Sequence, residues 1–165
     1  MTINFSLATA QDLPRIVAIY NQIIPSRLAT ADLTPVSVAS RKAWFAAFDP
    51  ARRPLWVMQS AGRCIGWVGL EDFYGRPAYL HTAEVSIYID QAFRHQHVGQ
   101  QALDFVFTQL PRLGLNALVA FIFAHNQPSL ALFGHNGFER WGLLPDVAEL
   151  DGCRRSLAIM GRRFN

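Results

Sequence analysis

Apolar positions along the chain switch between a two-residue and a helical period, and the switches mark out the elements. Ile3, Phe5 and Leu7 alternate with polar neighbours, which predicts a half-buried strand. Thr9-Ala10-Gln11-Asp12 has the form of a capping box, with Asp12 in place of the usual Glu. A helix to about residue 24 follows, with Leu13, Ile16, Val17, Tyr20, Ile23 and Ile24 on one stripe and Pro25 as its stop. Residues 26–36 mix Ser, Thr, Asp and Pro and read as loop. Ser37 or Ser40 then caps a second helix bearing Ala43, Trp44, Ala47 and Phe48, closed by Asp49-Pro50. Residues 55–59 and 64–70 read as a hairpin turning at Ala61-Gly62-Arg63, and 73–76 as loop. The β-branched run AEVSIYID, residues 83–90, predicts a buried central strand. A polar loop over 91–97 leads into a helix from 98 to about 110. It carries Val98, Ala102, Phe105, Val106 and Leu110 on one face, with Gly114 at its C-cap. Residues 117–123 form a second strongly apolar strand. Pro128 opens a short helix to about 135. Asn136-Gly137 turns into a strand at 138–143, and 157–163 is the last strand.

The order β-α-α-β-β-β-α-β-α-β-β predicts one mixed α/β (α+β) domain over residues 1–165, without repeats or linkers. Composition agrees. Hydrophobic residues make up 51% and charged residues 16%, which excludes a disordered chain. The net charge of +3 favours an anionic ligand but falls short of the basic stripe of a nucleic-acid binder. Two cysteines, Cys64 and Cys153, supply neither a disulfide framework nor a zinc cluster, and point to a reducing, cytoplasmic setting. No basic segment precedes a long apolar run, and no stretch approaches 18 apolar residues, so neither a signal peptide nor a membrane span is expected.

Chemistry concentrates where the 83–90 strand passes through QAFRHQH into the following helix. Unpaired N–H groups of a first helical turn, with the helix dipole, make an anion cradle suited to a phosphate or pyrophosphate. Arg94 lies in that loop. Glu84 stands in an apolar strand, where a carboxylate needs a partner or a task. Strand alternation puts it on one face with Ser86 and Tyr88. His95 and His97 form an H-x-H without a neighbouring carboxylate or Cys, so no metal site is expected. Tyr79, Tyr88 and Phe133 suit a pocket wall or core.

Arg94-His95-Gln96-His97-Val98-Gly99 resembles the acyl-CoA loop of the GCN5-related N-acetyltransferase (GNAT) family. The run from Arg76 through Ala78, Tyr79, Thr82, Glu84, Ser86 and Tyr88 to Ile89 resembles the family's phosphinothricin-type branch. So do Ile19-Tyr20-Asn21, the Asn126-x-x-Ser129 step and Gly137-Phe138. Three positions depart from the branch: His97 stands where it has Gly, Phe133 where it has His, and the Lys-x-Gly-x-Trp-x-Asp near its C-terminus is missing.

The resemblance implies a twisted mixed sheet flanked by about four helices and splayed between its two central strands. It also implies an acetyl-CoA-dependent N-acetyltransferase, acting as a homodimer on a small amino-acid-like amine. Pantetheine is expected along Ile87, Tyr88 and Ile89. The pyrophosphate is expected on Arg94, His95, Gln96, His97, Val98 and Gly99, with Gln100 beside it. Asn126, Ser129 and Phe133 are expected at the far end of the cofactor. Arg76, Tyr79 and Thr82 would face the acceptor, and Glu84 would take the amine's proton. Two other readings are a non-catalytic acyl-CoA sensor and a protein N-terminal or lysine acetyltransferase.

Overall fold

The two most apolar runs become the two central strands of one seven-stranded sheet. In the computed structural model, which describes residues 1–165, the elements are β1 (Asn4–Leu7), α1 (Leu13–Asn21), α2 (Val38–Ala46), β2 (Leu55–Ser60), β3 (Arg63–Asp72), β4 (Thr82–Ile89), α3 (Val98–Leu113), β5 (Ala117–Phe123), α4 (Gln127–His135), β6 (Glu139–Leu150) and β7 (Cys153–Arg163). The spatial order is β1-β2-β3-β4-β5-β7-β6. Every neighbouring pair is antiparallel except β4 and β5, which are parallel and joined by the α3 crossover. Their ladder is short: Thr82 pairs with Ala117, Ala83 with Leu118 and Glu84 with Val119. Beyond Glu84 the strands part, so the sheet opens into a wedge.

Alternation along β2 shows how the layers form. Trp56 packs into the larger core with Leu103, Val106 and Leu110 of α3, whereas Val57 packs with Ile16 and Ile19 of α1. Helices α3 and α4 therefore cover one face of the sheet, and α1 and α2 the other. Leu103 and Val106 are fully buried. Each such side chain contributes roughly 1.5–3 kcal/mol by leaving water. No helix is long and apolar enough to cross a membrane.

The predicted element order holds throughout, but several ends move. The α1 helix stops at Asn21 rather than near residue 24. Ile24 and Pro25 belong to a separate 3-10 turn that ends on left-handed Arg27. Pro25 lies in the first turn of that piece, where its missing N–H is harmless. The capping box closes in one direction only: the Asp12 carboxylate accepts from the Thr9 N–H at 2.7 Å and from its hydroxyl at 2.9 Å, and the helix starts after it. Ser37, not Ser40, caps α2. Strands β6 and β7 are far longer than expected, meeting at the Asp151-Gly152 turn, where both residues have positive φ. Register shifts beside Gly142 and between Leu144 and Ala148 break the alternation of β6, and most of its residues are exposed. A hydrophobic period therefore could not mark its full length.

Candidate active site

Two cavities flank β4. One, of about 370 Å³, lies between α1, α2 and the sheet. Glu84, Ser86 and Tyr88 reach it from one face of β4, as alternation requires. The antiparallel register sets Glu71 of β3 opposite Glu84 and Trp67 opposite Tyr88. Trp67 stacks on Tyr88 with ring centres 4.5 Å apart, and Trp44 of α2 meets Trp67 edge-on at 5.5 Å. The Trp67 indole N–H donates to the Ile16 carbonyl at 3.2 Å, tying this wall to α1.

Arg41 is the cation that lines this cavity. Its guanidinium lies 4.7 Å over the Tyr20 ring and donates to Asp32 at 2.7 Å. The Tyr20 hydroxyl also bonds Asp32, and Thr30 beside it. Stacking and the ion pair thus hold Arg41 in one orientation, with donors left over for a ligand. Burial, reinforced by the Glu71 charge, pushes the Glu84 carboxyl up to about 7. Burial also raises Glu71, against the indole of Trp44 and the charge of Arg41. Neither glutamate forms an ion pair.

The second cavity, of about 520 Å³, follows the opening between β4 and β5. Ile87, Tyr88 and Ile89 line it from β4; Arg94, His95, His97, Val98, Gly99 and Gln100 line it from the loop and first turn of α3; Asn126 and Ser129 line it from α4. Buried Asp90 fixes the start of that loop. It accepts from the Ala92 N–H at 2.9 Å and pairs with Arg15 and Arg63. Burial pushes Asp90 up, but these donors outweigh it and hold the carboxyl below its ordinary value. His95 and His97 both adopt left-handed backbone, with φ of 60° and 58°. That conformation costs an L-residue about 1–2 kcal/mol, which explains why glycine suits position 97.

The hydrogen-bond ladder of α3 opens with the Gln101 N–H on the His97 carbonyl at 3.1 Å. The N–H groups of Val98, Gly99 and Gln100 stay outside it. These donors, Arg94 and the apolar flank of β4 fit a diphosphate followed by a pantetheine arm. A Cβ on Gly99 would lie 2.8 Å from a Leu132 methyl, so glycine lets α3 and α4 close on each other. Asn126 caps α4 by accepting from the Ser129 N–H at 3.2 Å. The Asn-x-x-Ser step is thus a helix start as well as a cavity wall.

Several expected residues lie elsewhere. Phe133 is in the core, 5% exposed and edge-on to Phe138 at 4.9 Å; Leu132 and His135 line the cavity from α4 instead. Helical spacing turns residue 133 toward the sheet. Gln96 folds its amide back onto the Ala92 carbonyl and lines neither cavity. Arg76, Tyr79 and Thr82 are also absent from both linings. Arg76 is exposed at the start of the 3-10 turn Pro77–Tyr79, Tyr79 packs on Phe73 and Tyr74, and Thr82 begins β4 opposite Ala117. Arg76 forms no ion pair with Glu84, and the other charged side chains of that cavity are Arg41 and Glu71. Both escaped the sequence reading. Glu71 was reachable by extending the predicted second hairpin strand through Asp72; Arg41 needed the packing of α2. His81 and His125 hold neighbouring loops through the Gly114 and Arg27 carbonyls. No group of three or more His, Cys, Asp or Glu is arranged to hold a metal ion.

Comparison with known proteins agrees with this geometry. Residues 16–138 match the Acetyltransferase (GNAT) family. YwnH of Bacillus subtilis (strain 168), which carries the provisional name of a phosphinothricin acetyltransferase, is 49% identical over 160 residues, covering 96% of this chain and 98% of that protein. An L-methionine sulfoximine/L-methionine sulfone acetyltransferase of Pseudomonas paraeruginosa (strain DSM 24068 / PA7) is 32% identical, covering 93% of this chain and 90% of its own. The crystal structure of a GNAT superfamily phosphinothricin acetyltransferase from Sinorhizobium meliloti in complex with acetyl-CoA superposes with a TM-score of 0.92. It is 29% identical and covers 100% of this chain and 90% of that one.

Proposed function

This chain belongs to the acetyltransferase (GNAT) family and is an N-acetyltransferase with acetyl-CoA as cosubstrate, and from that premise we propose that it acetylates the primary amine of a small amino-acid-like acceptor, with Glu84 as general base. The observation that carries this reading is the position of Glu84. It is the last β4 residue paired with β5, and it opens into an aromatic-walled cavity beside the cofactor groove. The similarity to a methionine sulfoximine acetyltransferase supports an amino-acid class of acceptor.

Acetyl-CoA supplies an acetyl group activated as a thioester. The residues around it divide the remaining work. Arg94 and the N–H groups of Val98, Gly99 and Gln100 hold the diphosphate. The backbone of Ile87 and Ile89, beyond the β4–β5 ladder, receives the pantetheine as an added strand. Arg41 takes the acceptor carboxylate by a two-point contact, in place of Arg76. The acceptor's ammonium, with an ordinary pKa of ~10.4 for an alkylamine, must lose a proton before it can attack. Glu84, at about 7, accepts that proton at neutral pH and later returns it to water. As the new C–N bond forms and the C–S bond breaks, the second proton leaves the nitrogen for the departing thiolate or water. A thiol of pKa about 8.5 leaves without strong acid help, so Phe133 need not be a histidine. The reading includes a homodimer, supported by the exposed apolar side chains Trp141, Leu143, Leu144 and Val147 on edge strand β6.

The test is CoA release from acetyl-CoA over a panel of amino acids, their amides and the matching decarboxylated amines. Activity on amino acids above the other two supports the proposal. Activity confined to peptide N-termini or peptide lysines overturns the acceptor class.

A further inference from the structure

Glu71 and Glu84 face each other directly across the β3–β4 ladder, and both open into the acceptor cavity. Like charges at opposed positions destabilise an antiparallel pair, yet neither carboxylate forms an ion pair: the Arg41 charge and the Trp44 indole only partly offset the burial of Glu71, and no cation offsets that of Glu84. The other titratable groups lining the cavity are Arg41 from α2, Tyr20 from α1 and Tyr88 from β4. Arg41 bonds Asp32, in the loop before α2, rather than a glutamate. Trp44 and Trp67 supply aromatic faces, which attract cations. A repulsive carboxylate pair inside an aromatic wall is poor for stability and well made for an incoming ammonium.

We propose that Glu71 is a second carboxylate of the acceptor site, holding the ammonium jointly with Glu84 and acting on the chemistry through it. The inference rests on the reading of Glu84 as base. The ammonium first binds against both carboxylates. One N–H bond then breaks and an O–H bond forms on Glu84, leaving its electron pair on the amine nitrogen. The charge of Glu71 favours that transfer, because the pair passes from two negative charges to one. Burial and the Glu71 charge both act in this direction on Glu84. Glu71 therefore binds substrate and tunes the base, while Glu84 carries the proton.

The test uses the full chain with Glu71→Gln and Glu71→Asp. Its first readout needs no acceptor: pH titration of the Glu84 carboxyl by NMR in protein carrying 13C-labelled glutamate. Glu71→Gln should move the Glu84 midpoint to lower pH, and Glu71→Asp should restore it. The second readout is kinetic, on an acceptor found active. Glu71→Gln should raise KM for the amine about tenfold, the equivalent of 1.4 kcal/mol, and shift the acidic limb of kcat downward in pH with the Glu84 midpoint. The melting temperature at pH 8 should rise in Glu71→Gln, which certifies the fold. An unmoved Glu84 midpoint overturns the inference, as does an unchanged KM. If the wild-type acidic limb fails to follow the Glu84 midpoint, the base assignment falls instead, and the titration still decides whether the two carboxyls are coupled.

Discussion

Gln100 and Asn136 exchange two hydrogen bonds through their side-chain amides, at 2.7 and 2.9 Å. The pair joins the first turn of α3, which carries the cofactor cradle, to the C-terminal end of α4. Asn136 also donates to the Leu132 carbonyl at 2.8 Å, and its own carbonyl accepts from Arg162 of β7. The cradle is thus held on its outer side by a chain of polar contacts running back to the sheet.

Gln100→Ala should destabilise the protein by about 1–3 kcal/mol, two hydrogen bonds at their usual net worth. It should also weaken acetyl-CoA binding. Asn136→Ala should cause a similar thermal loss, and the double variant should lose less than the sum, since one clasp is broken twice. Thermal unfolding and calorimetric titration with acetyl-CoA measure both quantities.

Glu84→Gln should leave acetyl-CoA affinity unchanged and lower kcat by about 10²–10⁴-fold, the usual weight of general-base catalysis. The deficit should narrow as pH rises and more acceptor is already neutral. The wild type should lose activity as pH falls through about 7, where Glu84 takes up its proton. Steady-state rates from pH 5.5 to 9.5 give both curves, and near-normal turnover at pH 7 in the variant would remove Glu84 as base.

Stability should respond to pH in two opposite windows. Folded Glu84 keeps its proton to about 7, whereas a free carboxyl releases it near 4.5. Stability should therefore fall as pH rises between those values, and Glu84→Gln should flatten this slope. Asp90 is held below its ordinary 3.8. Its contribution is present above that pH and disappears as pH drops through the lower, folded value. Melting temperatures across pH 2.5–8.5 test both, with Asp90→Asn removing only the acid-side loss.

Arg41→Gln should abolish preference for an α-amino acid over its decarboxylated amine, a change of about 2 kcal/mol or roughly 30-fold in kcat/KM. Arg76→Ala should leave the preference intact, because Arg76 lines neither cavity. The reverse pattern would return the acceptor carboxylate to Arg76.

Legibility of the fold in the sequence followed burial. Strand β5 was predicted to the residue because nearly every position in it is buried and apolar. The loop and first turn of α3 were readable because backbone donors, not side chains, define an anion cradle. What escaped depended on contacts between distant segments. Glu71 matters only through its register with Glu84, and Arg41 only through its stack on Tyr20. Phe133 was misplaced because its motif position does not say which side of a short helix faces the sheet. Arg76 stands at the start of a 3-10 turn and lines neither cavity, a placement that its closeness to Glu84 in sequence does not reveal.

The linings of the two cavities share one residue, Tyr88. That near-independence has an evolutionary meaning. Substitutions at Ile16, Val17, Val36 or Trp44 can reshape the space for a new amine while the diphosphate loop and the β4 edge remain as they are. Tyr88 is the exception: stacked on Trp67 on one side and donating to the Ala29 carbonyl at 3.4 Å on the other, it couples any change of acceptor to the fit of the donor. A lineage exploring new acceptors, or a library built to do the same, has wide freedom around Tyr88 and little at it.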